Sequence, residues 1–281
     1  ILATTMQALD ATIANGALPH MQGALNAAQD QISWVVTSYV VASAIGVALT
    51  SFFTERFGRK RMFLVSVIGF TFASVLCGIA TSLPEIVAFR LLQGFCGAGL
   101  VPLAQSVMMD IYPREKQSQA MAMWGPIIGP TLGGYLTEFY NWRWVFLINV
   151  PFGVLAALGI AGLLPREDQK PNHYFDMQGF AYLAIGIASL QLMLDRGQTQ
   201  DWFESMEIVI ESVIAALGFY LFVVHIRTTD RPFISARPFR DINYVGGLVI
   251  MFLMGAVPLA SMVLIPTMLQ SVMGYPVVDA G

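Results

Sequence analysis

Of 281 residues, 56% are hydrophobic and only 12% charged, and the mean hydropathy is +0.64, a composition that excludes an ordinary soluble domain and reads as a polytopic membrane protein. The net charge of −3 gives no basis for a nucleic-acid partner, and in a membrane protein the distribution of charge says more than its sum. Two cysteines, Cys77 and Cys96, lie inside apolar runs and read as small packing residues rather than a disulfide pair.

A helix needs about 20 apolar residues to cross a bilayer. On that count the chain holds about nine spans, all α-helical. The first is the tail of a helix ending before Pro19, followed by approximately 32–53, 62–82, 86–109, 118–137, 144–164, 177–194, 207–225 and 244–272. The loops set the orientation. Arg56, Arg59, Lys60 and Arg61 follow the second span, Arg114 and Lys116 the fourth, Arg166 and Lys170 the sixth, and Arg227, Arg231, Arg237 and Arg240 the eighth. Only Arg143 and Arg196 lie in loops on the opposite side, so the side rich in arginine and lysine is cytoplasmic and the N-terminus starts there. Asp30, Glu85, Glu138, Asp195, Asp201, Glu204 and Glu207 fall in the outward loops. This consistent alternation supports the span count.

Asp10, in the first span, sits about two and a half turns before Pro19, some 13 Å inside the outer end at about 1.5 Å per residue. An ionisable residue at that depth costs several kcal/mol unless it faces a cavity or a partner, which makes it a functional candidate. The competing reading is a packing aspartate hydrogen-bonded to its neighbours. After span two the chain reads Ser51-Phe52-Phe53-Thr54-Glu55-Arg56-Phe57-Gly58-Arg59-Lys60. The inside rule accounts for the basic cluster but leaves Gly58, which supplies a turn that a side chain would obstruct, unexplained.

Arg90, Gln93, Gly94 and Gly97 in span four recur at i, i+3, i+4 and i+7, putting a charge, an amide and two glycines on one face that lines something other than lipid. An arginine snorkelling to the outer surface is the alternative. In span five Gly125, Gly129 and Gly133 form a bare stripe, with Pro130 bending the helix and Gly134 following. Such a stripe is also what plain helix packing uses. Span six opens with Trp142-Arg143-Trp144 and continues to Asn149-Val150-Pro151; its tryptophans are interfacial anchors and physically need no further role. Glu211, one turn beyond Glu207 in span eight, is expected to reach the outer interface.

Taken together, five strings resemble one family. The chain is identified as similar to the EmrB-like branch of the fourteen-helix drug:proton antiporters of the major facilitator superfamily. The strings are Asp10 with Asn15 and Pro19 in the first helix; the loop motif GxLaDRxGRK, from which Ser51 and Glu55 depart; RxxQGxGaa beginning at Arg90; GxxxGPxxGG beginning at Gly125; and WRWxFxINxP ending at Pro151. Relatives carry about six more residues between the equivalents of Trp124 and Gly125, a loss that would shift the motif about 9 Å along the helix axis. Either that helix is unusual or residues are absent there.

The resemblance implies the major facilitator fold: a six-helix N-terminal half (1–165), a linker with two extra helices (166–240), and the first helix of an incomplete C-terminal half (241–281). It implies proton-driven export of lipophilic drug-like compounds by alternating access from the inner membrane, with lipid as environment and a periplasmic adaptor and outer-membrane channel as partners. Asp10 and Arg90 would carry proton coupling and substrate, with Asn15 and Gln93 as lesser polar contacts. Burial disfavours the carboxylate's charge and an arginine favours it, so proton and drug would compete at Asp10. Glu55, Arg56, Gly58 and Arg59 would form the cytoplasmic gate loop, and Gly125, Gly129, Pro130, Gly133 and Gly134 the antiporter motif.

No cofactor is expected beyond the proton gradient: there is no GxxxxGK[ST] loop, and His20, His173 and His225 are isolated, giving no catalytic or metal cluster. A carrier of a metabolite, lipid or siderophore on the same fold remains open, as does a membrane scaffold, for which Asp10 and Arg90 would have no purpose. The chain opens at Ile1 inside an apolar segment and stops at Gly281 without a polar tail, as expected of part of a longer protein that could not transport as residues 1–281 alone.

Overall fold

A computed structural model describes residues 2–112, 141–165, 175–232, 234–271 and 273. These form long helices: α1 Leu2–Ala24, α2 Trp34–Phe57, α3 Arg59–Ile79, α4 Leu83–Gly97, α5 Leu100–Ile111, α6 Asn149–Leu163, α7 Met177–Arg196, α8 Met206–Thr228 and α9 Ile242–Ser271. Among the described residues, six helical stretches are long and apolar enough to cross a membrane. They are α2, α3, α4 with α5, the short helix Trp144–Leu147 with α6, α7 with the turn after it, and α8. The bounds follow the spans read from hydropathy to within a few residues. The fifth span, with Gly125, Gly129, Pro130, Gly133, Gly134 and the Trp124–Gly125 junction, lies outside the described residues.

The first span departs from expectation, since α1 continues through Pro19 to Ala24. A proline removes one donor from a helix, and here the following turn is held from the side: Met21 is fully buried in a core shared with Ile32, Val35 and Ile86. Tertiary packing outweighs the local breaker. Elsewhere the ends obey local chemistry. Gly58 closes α2 at φ 83° and ψ 146°, its N–H donating to the Thr54 carbonyl at 2.9 Å, so α3 can start on the very next residue. Proline enters α4 in its first turn, where the missing donor is harmless. Asp176 caps α7 by accepting from the Gly179 N–H at 2.9 Å.

The chain divides into two compact units, Ile1–Phe222 and Val223–Gly281. In the first, α4 packs against both α2 and α3, α3 against α6, and α1 against α6 and α5. Gly94 makes the α2–α4 crossing close, because a Cβ there would lie 3.0 Å from the Tyr39 carbonyl carbon and 3.1 Å from its Cα. Two apolar clusters fill this pack. One contains Leu9, Val35, Cys77, Ile86 and Phe146, the other Met6, Tyr39, Phe70, Leu100 and Ala156. On α3 Ser74 falls between Phe70 of the second cluster and Cys77 of the first, so a polar layer interrupts the apolar core there. Farther out, α7 rests on α2 through a hydrogen bond from Thr37 to Asp195, and just before its start Phe175 meets Phe52, with ring centroids 4.4 Å apart. In the second unit a turn at Pro238–Arg240 leads into α9, where Asp241 accepts from the Asn243 N–H at 2.9 Å.

Candidate functional site

Five residues from four helical elements meet in the polar layer. Asp10 on α1, Ser74 on α3, Arg90 and Gln93 on α4, and Asn149 at the start of α6 are all at most 1% exposed. Arg90 donates from Nη1 to Asp10 Oδ2 at 2.6 Å and to Gln93 Oε1 at 2.9 Å, and from Nε to the Val35 carbonyl at 3.0 Å. The other carboxylate oxygen of Asp10 accepts from Gln93 Nε2 at 2.8 Å and from Asn149 Nδ2 at 3.3 Å. Ser74 Oγ accepts from Gln93 and Asn149 at 3.1 and 3.0 Å and donates to the Phe146 carbonyl at 2.8 Å.

This arrangement follows from the sequence of each helix. The i, i+3 spacing of Arg90 and Gln93 brings both to the same oxygen pair of Asp10. Gly94 lets the α2 backbone come near enough for its Val35 carbonyl to take the arginine's third donor. The guanidinium lies over the Tyr39 ring, 4.1 Å from its centroid, and 5.6 Å from that of Phe146, replacing lost water with aromatic faces. A carboxylate and a guanidinium so placed are net neutral, and each is costly to bury without the other. Chemically the cluster is a set of convergent donors, Arg90, Gln93 and Asn149, closed on one carboxylate. Asn149 Oδ1 is buried without a partner, so the network has one acceptor to spare.

The expectation that Arg90 shares its buried face with Gln93, Gly94 and Gly97 is met, and the snorkelling alternative is not: Arg90 is turned inward and paired. The side chain of Asn15 lies outside the described residues. Asn149 and Ser74 were not singled out by sequence reasoning. Asn149 stood within a quoted string but looked like part of an interfacial anchor, and a serine in an apolar helix carries no signal of its own. Cys77, read as a packing residue, does fill the core, with its Sγ 3.5 Å from Gln93 Oε1.

At the Gly58 end the basic residues divide their work. Arg59 pairs with Asp110 at the end of α5 and donates to Ser106 Oγ at 3.0 Å. Lys60 donates to the Ala161 and Leu164 carbonyls at 2.8 and 2.5 Å, satisfying the C-terminal end of α6. Glu55 and Arg56 are exposed. Glu211 is part-exposed on α8, with its Oε2 buried and without a hydrogen-bond partner, while Glu207 pairs with Arg196. Among the described residues, no group of three or more His, Cys, Asp or Glu is placed to hold a metal.

Comparison with known proteins gives one family. The model described as Major Facilitator Superfamily matches residues 1–281. The chain is 42% identical to the Multidrug export protein EmrB of Escherichia coli strain K12 over 287 residues, covering 100% of this chain and 56% of that protein. It is 42% identical, over the same shares, to the Multidrug export protein EmrB of Haemophilus influenzae. It is 39% identical to the Fatty acid resistance protein FarB of Neisseria gonorrhoeae, covering 100% of this chain and 57% of that one. The chain thus spans just over half the length of these relatives.

Proposed function

Because this chain belongs to the Major Facilitator Superfamily, whose model matches it from end to end, we propose that its parent protein is a proton-driven exporter of lipophilic compounds. The buried Asp10–Arg90 pair carries this reading. A carboxylate that is fully buried yet tied to a cation and two amides has two available states. It is an anion held by Arg90, or a neutral acid that frees Arg90, Gln93 and Asn149 for other partners. Protonation from one side and substrate from the other would then be alternative ways to satisfy the same donors, and their exclusion is what couples the two flows.

The two six-helix halves would rock about a site at the bilayer midplane. Aromatic and methionine-rich spans would accept varied apolar guests. The parent would sit in an inner membrane with its N-terminus cytoplasmic, as the distribution of Arg and Lys among the loops supports. It would draw on the proton gradient alone and pass substrate to a periplasmic adaptor and an outer-membrane channel. Glu55, Arg56, Gly58 and Arg59 would form the inner gate, and the stripe from Gly125 to Gly134, with Pro130, would shape the antiport pathway.

The test is proton flux in proteoliposomes of the intact parent on addition of lipophilic drugs, for wild type and Asp10→Asn. Drug-evoked flux that disappears in Asp10→Asn supports antiport coupled at α1. Flux that survives the substitution keeps the transport reading and moves its carboxylate elsewhere. Absence of flux with any drug in the wild type points to a metabolite, lipid or siderophore carrier.

A further inference from the structure

From the turn at Gly58, α2 and α3 run with little contact between them, and α4 closes the gap behind. The result is a groove of about 350 Å³ with apolar walls: Phe53 and Phe57 on α2, Met62 and Val65 on α3, and Phe95 on α4. At the end nearest Gly58 its wall is Arg61. We propose that this groove binds an acyl chain of an anionic phospholipid, with the phosphate held by Arg61. The inference rests on α2–α4 crossing a membrane and is independent of what the parent protein transports.

Charge complementarity selects the occupant. Of the four clustered basic residues, Arg59 is committed to Asp110 and Ser106, and Lys60 to the end of α6. Arg61 is exposed and makes no hydrogen bond or ion pair with a described residue. Arg56 adds a second exposed guanidinium beside the groove, 5.8 Å from the Phe57 ring centroid. A slot that is apolar along its length and cationic at one mouth fits a molecule with an apolar tail and an anionic head. The bilayer that surrounds these helices supplies one directly. A guanidinium binds phosphate with two charge-assisted hydrogen bonds, whereas a zwitterionic head brings its own cation next to Arg61 and Arg56.

Ser66 separates a phospholipid from a simple fatty acid. It lines the groove about 7.5 Å deeper along the α3 axis than Arg61 at about 1.5 Å per residue. Its hydroxyl is buried and has no hydrogen-bond partner. A glycerophospholipid carries an ester carbonyl below its phosphate that can accept from this hydroxyl. A fatty acid, with a carboxylate on Arg61, has nothing to place there.

Native mass spectrometry of the full-length parent tests this, with phosphatidylglycerol, phosphatidylcholine of the same chains, and oleate titrated onto delipidated protein. The wild type should retain phosphatidylglycerol over phosphatidylcholine by several-fold. Arg61→Ala should weaken phosphatidylglycerol binding about fivefold and leave phosphatidylcholine unchanged. Val65→Trp fills the groove from a position 62% exposed, where added bulk does not threaten the fold, and should remove one bound phosphatidylglycerol. Ser66→Ala should weaken phosphatidylglycerol a few-fold and oleate not at all. Equal retention of the two phospholipids, or phosphatidylglycerol binding untouched by Val65→Trp, overturns the proposal. Oleate displacing phosphatidylglycerol with equal affinity, insensitive to Ser66→Ala, replaces the phospholipid with a single-chain acid.

Discussion

Two arginine–aspartate pairs hold the first unit together, and they differ almost only in their surroundings. In Arg90–Asp10 the side chains are 1% and 0% exposed; in Arg59–Asp110 they are 17% and 59% exposed. Where water is excluded, each charge depends on the other, and every remaining donor must find a protein acceptor, which recruits Gln93, Ser74, Asn149 and the Val35 carbonyl. At the exposed pair water can replace either partner, so the contact fastens the end of α5 to the start of α3 without demanding a network. The same two residue types therefore make the centre of a buried network in one place and a clasp in the other.

That contrast can be broken most directly at Arg90. Arg90→Leu leaves Asp10 buried with its main cation gone and should cost about 3–5 kcal/mol in the parent protein, read from unfolding in detergent. Adding Asp10→Leu to it should restore most of the loss, since an apolar pair of similar volume is often no worse than a buried ion pair. A stable Arg90→Leu protein would mean that the buried pair is no more demanding than the exposed one.

Asn149→Ala sharpens the comparison at the next level. It removes a donor from both Asp10 and Ser74, at an expected cost of about 1–3 kcal/mol. A double-mutant cycle with Ser74→Ala should show coupling of at least about 0.5 kcal/mol, because the two groups share one network. Strict additivity would deny that the polar layer acts as a unit. The smallest effect is expected from Asp110→Asn, at most about 1 kcal/mol. It should vanish near 1 M salt, where the screening length is about 3 Å, while the Arg90→Leu loss should be insensitive to salt.

Much of the architecture was readable in advance because its signals are local. Apolar runs of membrane length placed the described spans, and Gly58 marked a turn that no side chain could make comfortably. The helical spacing of Arg90, Gln93, Gly94 and Gly97 likewise exposed a polar face whatever it met. Pro19 shows the limit of such signals. A breaker ends a helix only when the next turn has nothing to pack against, and Met21 does.

What the amino-acid order determined by itself, then, is the set of helices, which of them carry polar residues at membrane depth, and that Asp10 and Arg90 needed partners. Only the tertiary structure decided that they are each other's partners, that Asn149 and Ser74 complete the cluster, and that Arg59 rather than Arg61 takes Asp110. Helical periodicity reports which residues share a face within one segment. It contains nothing about which face of a distant segment will be pressed against it, and that choice is made by how the whole set of apolar surfaces packs.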